Sequence, residues 1–278
     1  MTSRSRRTLV AYVAVGLLVL AVAGGAGSYV YFGVLGHHAP EPVRDSVRAD
    51  PNVTVSEAYG GYVVRDADPG TERLGIVFYP GGRVAPDAYL PAAARIAERA
   101  NVTVVVPKMR ANLAVLSIGR ADAVLDGEPR VERWVVGGHS LGGAMACRYA
   151  RDHPDAVEGL LLVGAYCDKP VRGMPGLAVL GTRDAVLDRE QFASNRGNLP
   201  ADATVVRIEG MNHSQAGWYA GQGGDRPALI STETAHRRLA AVASEWLCDA
   251  LEHCSTASDV RRSVGHANVF RGGRATPR

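Results

Sequence analysis

The feature that most constrains the fold is an alternation of short apolar runs with segments of helical periodicity. The runs "LGIVFYPGG", "NVTVVVP", "RVERWVVGG", "VEGLLLVGAY", "PGLAVLGTRD" and "ATVVRIEGMNH" are apolar without alternation, which is typical of strands buried on both faces of a parallel sheet. Helical periodicity falls in "PDAYLPAAARIAERA", "LGGAMACRYARDHP" and "STETAHRRLAAVASEWLCDALEH", and "VTVSEAYGGYVV" predicts a preceding β-hairpin. This order predicts an α/β fold with a mostly parallel central sheet and helices on both of its faces.

Four candidate functional positions directly follow predicted strands. They are Gly81–Arg83, Ser140, Asp184 and His213. Ligands of open parallel sheets bind beyond the carboxyl ends of the strands, so we expect these residues to lie at one edge of the sheet.

The stretch "WVVGGHSLGGAMA" places a serine between glycines where a predicted strand gives way to a predicted helix. Gly138, Ser140 and Gly142 have the G-x-S-x-G spacing, in which small residues allow a sharp strand-to-helix turn that exposes the serine hydroxyl. The backbone N–H of Leu141 would then point from the helix N-terminus towards a developing oxyanion. The spacing alone is a weak signal, but its position between a strand and a helix makes it a strong one.

A serine hydroxyl needs a base to accept its proton. In proteins with this turn the chain order is serine, then aspartate or glutamate, then histidine, and this chain has residues in that order. Asp184 ends "GTRD" and His213 ends "GMNH". Through "GGHSLGG", "GTRD" and "GMNH", residues 53 to 250 resemble the α/β-hydrolase superfamily. The resemblance implies Ser140 as nucleophile, Asp184 as orienting acid and His213 as general base.

Other residues near these motifs have different expected roles. Asp188 is an alternative acid, but its place at a helix start favours a capping role. His139 cannot turn back to its neighbour's hydroxyl, so we expect it to pack in the core. We expect the remaining histidines of the helical segments at the surface; these are His153, His236 and His253.

The second oxyanion donor is expected in the loop after "LGIVFYP". Many relatives have His-Gly there, whereas this chain has Pro80-Gly81-Gly82-Arg83. We favour the N–H of Gly82 over that of Arg83, because two glycines let the backbone approach a tetrahedral intermediate. The Arg83 side chain is a candidate for binding a substrate carboxylate, with a solvated arginine as the alternative.

The resemblance extends to members without a cap domain, such as the dienelactone-hydrolase-like group. Only "CDKPVRGM" separates two strands where many relatives insert a lid. That group typically uses a cysteine nucleophile, so its substrate is not carried over to Ser140. We expect a serine hydrolase that acts on a small-molecule carboxylic ester with no cofactor and no metal. The alternatives are a thioesterase, a peptidase, an acyltransferase or a catalytically silent binding protein.

The N-terminus predicts a membrane anchor. No charged residue occurs between Arg7 and Glu41, a stretch longer than the roughly 20 residues that cross a bilayer. Basic residues before it and acidic ones after it predict a single-pass protein of the cell membrane with the catalytic domain outside. The alternative is a secreted protein, cleaved after the small residues Ala21–Ala23. The expected regions are a cytoplasmic basic N-terminus (1–7), the anchor (8–36), a linker (37–52), the hydrolase domain (53–254) and a disordered basic tail (255–278).

Charge and cysteine content bear on two further questions, whether the protein binds nucleic acid and whether it forms disulfide bonds. Without Arg4, Arg6 and Arg7 the chain has 28 basic and 28 acidic residues, so we expect no nucleic-acid partner. Four cysteines in an exported chain permit disulfides, and Cys248 with Cys254 is the best candidate pair. The sequence does not predict an oligomeric state.

Overall fold

A computed structural model describes Gly24, Gly27, residues 30–67 and residues 73–253. Within these residues, eight strands form one sheet; in chain order they are β1 (Val53–Ala58), β2 (Gly61–Asp66), β3 (Leu74–Tyr79), β4 (Thr103–Val106), β5 (Arg133–His139), β6 (Gly159–Val163), β7 (Gly176–Gly181) and β8 (Thr204–Ile208). The α-helices of the same residues are α1 (Glu41–Arg48), α2 (Leu90–Ala100), α3 (Arg120–Gly127), α4 (Leu141–Asp152), α5 (Arg189–Ser194) and α6 (Thr232–Leu251).

The sheet has the order β1-β2-β4-β3-β5-β6-β7-β8. β1 and β2 form an antiparallel hairpin, and β2 pairs antiparallel with β4. All pairings from β4 to β8 are parallel. The predicted mostly parallel sheet is therefore confirmed.

Alternate residues of the central strands supply two separate cores. In β3, Ile76 and Phe78 pack into the core under α2 and α6, whereas Val77 and Tyr79 pack into the core under α3 and α4. Both sides of the strand are apolar because both faces of the sheet are covered. The carboxyl ends of the parallel strands consequently meet at one edge.

The predicted linker, residues 37–52, contains α1 and is part of the folded domain, which corrects the sequence prediction. Val47 of this helix is buried, and the helix packs on α2. His38 Nδ1 and Arg44 Nη1 lie 2.8 and 3.1 Å from Oδ2 of the buried Asp87. Proline and charge predict a linker in sequence, but here the charges find a partner in the folded domain.

A disulfide joins Cys147 of α4 to Cys167 in the segment after β6. Both cysteines are buried, and their Cα atoms are 5.5 Å apart. Cys248 is disulfide-bonded as well, whereas Cys254 lies outside the described residues. The bond between Cys147 and Cys167 had no signal in sequence, because a separation of 20 residues between two helix or loop positions predicts no pairing.

Most of the predicted anchor, and all of the predicted tail, lie outside the described residues. Among the residues that are described, no helix combines the length and apolarity of a membrane span. The end of the predicted anchor, residues 30–36, is described and contacts the folded domain at Arg83; it begins with a π-helical turn, Val30–Val34.

Candidate active site

Ser140 occupies the sharp turn between β5 and α4. Its backbone has φ 52° and ψ −123°, a strained conformation for a residue with a side chain. A Cβ on Gly138 would lie 2.6 Å from the carbonyl carbon of Gly142 and 2.7 Å from the carbonyl oxygen of Tyr79. Glycine is therefore required for the start of the helix to approach the strand ends, as the G-x-S-x-G spacing predicted.

Asp184 and His213 form a buried pair at the same edge of the sheet. Nδ1 of His213 lies 2.8 Å from Oδ2 of Asp184, and both side chains are almost fully buried. Oδ1 of Asp184 accepts hydrogen bonds from the N–H groups of Val186 and Leu187, at 3.0 and 2.9 Å. An ionised carboxylate only accepts hydrogen bonds, so Nδ1 of His213 donates to Asp184, and in the neutral imidazole Nε2 then has the lone pair.

The end of β6 connects this pair to the serine turn. The N–H of Ser140 donates to the carbonyl of Val163 over 3.1 Å. The next residue is Gly164, with φ 55°; a Cβ there would lie 3.0 Å from Oδ2 of Asp184 and 3.2 Å from Nδ1 of His213. Nε2 of His213 is buried and has no hydrogen-bond partner among the described residues. Hydrogen bonds between a serine and its general base are often long in the absence of substrate and shorten when substrate binds.

In the loop after β3, the backbone N–H groups of Gly81, Gly82 and Arg83 differ in whether they have a hydrogen-bond acceptor. The N–H of Gly81 donates to Oη of Tyr89 over 2.8 Å, and that of Arg83 donates to the carbonyl of Asn112 over 3.0 Å. Within the described residues the N–H of Gly82 has no acceptor. A Cβ on Gly82 would lie 3.4 Å from Cδ2 of Leu141, whose own N–H belongs to the unpaired first turn of α4.

His139, the last residue of β5, links this loop to the strand that precedes Ser140. Its Nδ1 lies 2.9 Å from Oη of Tyr89, the hydroxyl that also accepts from Gly81. Its ring centroid is 4.4 Å from that of His213. Burial, and to a smaller extent the nearby His213, holds the pKa of His139 well below its usual value. His139 is thus a buried neutral packing residue, whereas the part played by Tyr89 was missed in sequence.

The side chain of Arg83 contacts the N-terminal segment. Its guanidinium donates to Oη of Tyr31 over 2.7 Å and to the carbonyl of Leu35 over 3.0 Å, and it lies 3.8 Å from the centre of the Tyr31 ring. These donors hold the N-terminal segment, and the binding of a substrate carboxylate by Arg83 stays a prediction. The exposed Tyr31 gave no sequence signal for this contact.

A second carboxylate holds the backbone of the histidine loop. Oδ1 of Asp225 accepts from the N–H of His213 over 3.1 Å. Its Oδ2 accepts from the N–H and the hydroxyl of Ser214, at 2.9 and 2.8 Å. Asp225 follows His213 by a long irregular segment without periodicity, so the sequence gave no indication of this role.

The described residues contain no group of three or more histidine, cysteine or acidic side chains that could hold a metal ion. Asp188 caps α5, where Oδ1 accepts from the N–H groups of Glu190 and Gln191 at 2.9 and 3.0 Å. The structure therefore brings Asp184 to His213 and places Asp188 at a helix terminus.

A family model described as "Alpha/beta hydrolase family" matches residues 75–237. The chain belongs to the alpha/beta hydrolase family. The match includes all four strand-end positions considered in sequence, and this protein is a hydrolase of the α/β class. A comparison with curated proteins found no match.

Solved α/β-hydrolase structures agree with the fold. Est1E from Butyrivibrio proteoclasticus is 13% identical, with a TM-score of 0.51 over 72% of this chain and 99% of its own. A thermostable esterase from Pseudomonas putida ECU1011 is 17% identical, with a TM-score of 0.52 over 73% of this chain and 88% of its own. At these identities the similarity establishes the fold alone.

Proposed function

We propose that this α/β-hydrolase is a membrane-anchored serine esterase whose catalytic domain lies outside the cytoplasm. The observation that carries the proposal is the buried Asp184–His213 pair, 2.8 Å apart, beside the strained turn of Ser140. A pair of this kind next to an exposed serine turn is what nucleophilic acyl transfer requires.

The proposed reaction begins with attack of Ser140 Oγ on the acyl carbonyl. Nε2 of His213 takes the hydroxyl proton, and Asp184 stabilises the resulting imidazolium. The carbonyl oxygen becomes an oxyanion that accepts hydrogen bonds from the N–H groups of Leu141 and Gly82. When the intermediate collapses, the acyl C–O bond breaks and His213 returns the proton to the leaving alcohol.

Water completes the cycle by the same route. His213 removes a proton from water as it attacks the acyl-enzyme, then returns the proton to Ser140 when the acid leaves. Every step uses side chains and backbone groups of this chain, with a small-molecule acyl ester as substrate.

The segment between β6 and β7 supports an ester as substrate. Residues 164–175 connect these strands without a lid domain, and Ser140 remains partly exposed. An open site suits the hydrolysis of an ester better than chemistry that must exclude water.

The location outside the cytoplasm rests on two features. The uncharged stretch between Arg7 and Glu41 follows three arginines, which favours a cytoplasmic N-terminus. The disulfide between Cys147 and Cys167 is of a kind that persists in oxidising compartments.

The proposal is tested by Ser140→Ala in the full chain, assayed on a water-soluble short-chain ester. Alanine adds no bulk to the turn, so we expect unchanged folding and a loss of several orders of magnitude in kcat. Ser194→Ala is the matched control, because this exposed hydroxyl, among the residues that the structure describes, bonds only the carbonyl of Gln191. If Ser140→Ala keeps activity near the parent level, or the folded parent hydrolyses no ester, the proposed esterase function is wrong.

A further inference from the structure

Exposed apolar side chains border the loop that carries Gly82. We call them the apolar rim; each is between 44% and 59% exposed, and they are Tyr31, Val34, Leu35, Val115 and Leu116. Single exposed apolar residues are ordinary on soluble domains, but grouped ones mark an interaction surface.

The two segments of the apolar rim are joined at Asn112. Its Nδ2 donates to the carbonyls of Phe32 and Gly33, at 3.0 and 3.2 Å. The following turn, Ala114–Leu116, packs on α4, the helix that begins at Leu141. The rim is therefore attached to both sides of the proposed oxyanion site.

Arg83 adds a second attachment. Through its guanidinium it holds Tyr31 and the carbonyl of Leu35, and its own carbonyl accepts from the N–H of His37 over 2.6 Å. Residues 31–37 are thus fixed directly on the loop that provides the Gly82 N–H. This described segment therefore lies next to the loop that follows β3 and borders the serine turn.

The sequence of the segment before residue 30 indicates what the rim contacts. In the proposed anchor, residues 8–29 would form a helix about 33 Å long, enough for a hydrocarbon core of about 30 Å. Residues 30–36 would then emerge at the outer surface of the bilayer, where a tyrosine such as Tyr31 is favoured. Arg110, exposed and without an ion pair within the described residues, lies between the two rim segments in sequence and suits a phosphate headgroup.

We propose that the apolar rim docks into the outer leaflet of the membrane and that the substrate is an acyl ester carried by the bilayer. This inference rests on the proposed anchored esterase. The ester passes from the leaflet across the rim to Ser140, and hydrolysis releases its fatty acid and its alcohol. The occupant of the rim is lipid, and a second copy of the chain or another protein is an outcome of the test.

The first experiment measures depth in the bilayer with a new tryptophan. Leu116→Trp and Asp155→Trp are prepared in the full chain and reconstituted in phosphatidylcholine vesicles with brominated acyl chains. Asp155 lies exposed in the turn before β6, at the opposite edge of the sheet. After subtraction of the parent signal, we expect the Leu116→Trp emission to fall at least twofold and the Asp155→Trp emission to stay unchanged. Equal emission from both variants, relative to unbrominated vesicles, overturns the docking.

The second experiment separates the docking from the esterase proposal. Val115→Glu combined with Leu116→Glu is compared with Leu229→Glu, an exposed leucine beside β8, four strand spacings or about 20 Å from β3. Each is assayed on a long-chain ester in the vesicles and on a soluble short-chain ester.

We expect the double variant to lose about tenfold on the vesicle ester and less than twofold on the soluble ester, with Leu229→Glu changing neither. Equal losses on both substrates, or none, contradict docking onto lipid. A dimer in detergent that the double variant abolishes would assign the rim to a second copy and also contradict it. A parent that hydrolyses neither ester rejects the esterase proposal, while the tryptophan emission still decides whether the rim meets lipid.

Discussion

At the scale of single residues, His213 is held at three places around its ring and backbone. Asp184 binds Nδ1, Asp225 binds the backbone N–H, and the ring of His139 lies against its own. These contacts fix the tautomer and the direction of Nε2, the atom that the proposed mechanism uses as base. Only the contact with Asp184 was predicted from sequence, because it follows from strand order, whereas the partners in loops have no periodic signal.

Replacing the two neighbouring acids tests this arrangement. Asp184→Asn would favour the wrong imidazole tautomer, so we expect the esterase kcat to fall by about 10⁴. Asp188→Asn keeps an Oδ1 that can accept from the first N–H groups of α5, so we expect little change in stability or in kcat. Steady-state rates of both variants, measured where each is fully folded, check the expectation. Equal losses, or a larger one at Asp188, would reassign the acid.

At the scale of elements, α6 secures the loop that carries the histidine. Nε2 of His236 donates to the carbonyl of Gly217 over 3.1 Å, and the side chain is fully buried. The sequence prediction that His236 lies at the surface is therefore wrong. Burial is the main cause that lowers the pKa of His236 to about 4, with the backbone bond to Gly217 opposing it.

This buried imidazole predicts a pH dependence of stability. The unfolded chain takes up the proton near pH 6.5, but the folded chain does so only near pH 4, so acid favours unfolding in this window. On this account of His236, the free energy of unfolding is highest above pH 6.5 and falls by on the order of 3 kcal/mol as the pH is lowered to 4. His236→Gln can still donate to Gly217, and chemical unfolding should show a flatter dependence between pH 4 and 6.5. An unchanged pH dependence in the variant would contradict the assignment.

The elements differ in how well the sequence predicted them. The strands β3 to β8 were predicted because continuous apolar runs have few other stable environments. The helices α1 and α3 were not predicted because they are short and polar. In α1, the ion pair of Arg44 with Asp87 adds stability only in the folded chain. The cap of α5 by Asp188 was the one local signal.

At the scale of the whole molecule, the N-terminal segment packs on a loop of the candidate active site. The predicted boundary between anchor and linker at residue 36 has no counterpart in the contacts, since Leu35 and His37 both bind Arg83. Sequence patterning separates apolar from charged segments, but it does not report which loop a segment packs on. The anchor itself stays a prediction.

The anchor is tested by fractionation of the full chain. We expect the protein to stay with membranes after washing in high salt or alkaline buffer, because an apolar span is not released by either treatment. Its mature N-terminus should retain Arg4. A mature chain beginning near Gly24 would show cleavage and replace the anchored form by the secreted alternative.

In the proposed mechanism, Ser140 is a nucleophile activated by His213. This activation is tested most directly by the site at which a fluorophosphonate probe forms a covalent bond, identified by peptide mass spectrometry of the folded full chain. We expect a single adduct on the peptide that contains Ser140, and loss of labelling in the folded His213→Ala variant. An adduct on another residue, no adduct at all, or unchanged labelling without His213 would contradict it.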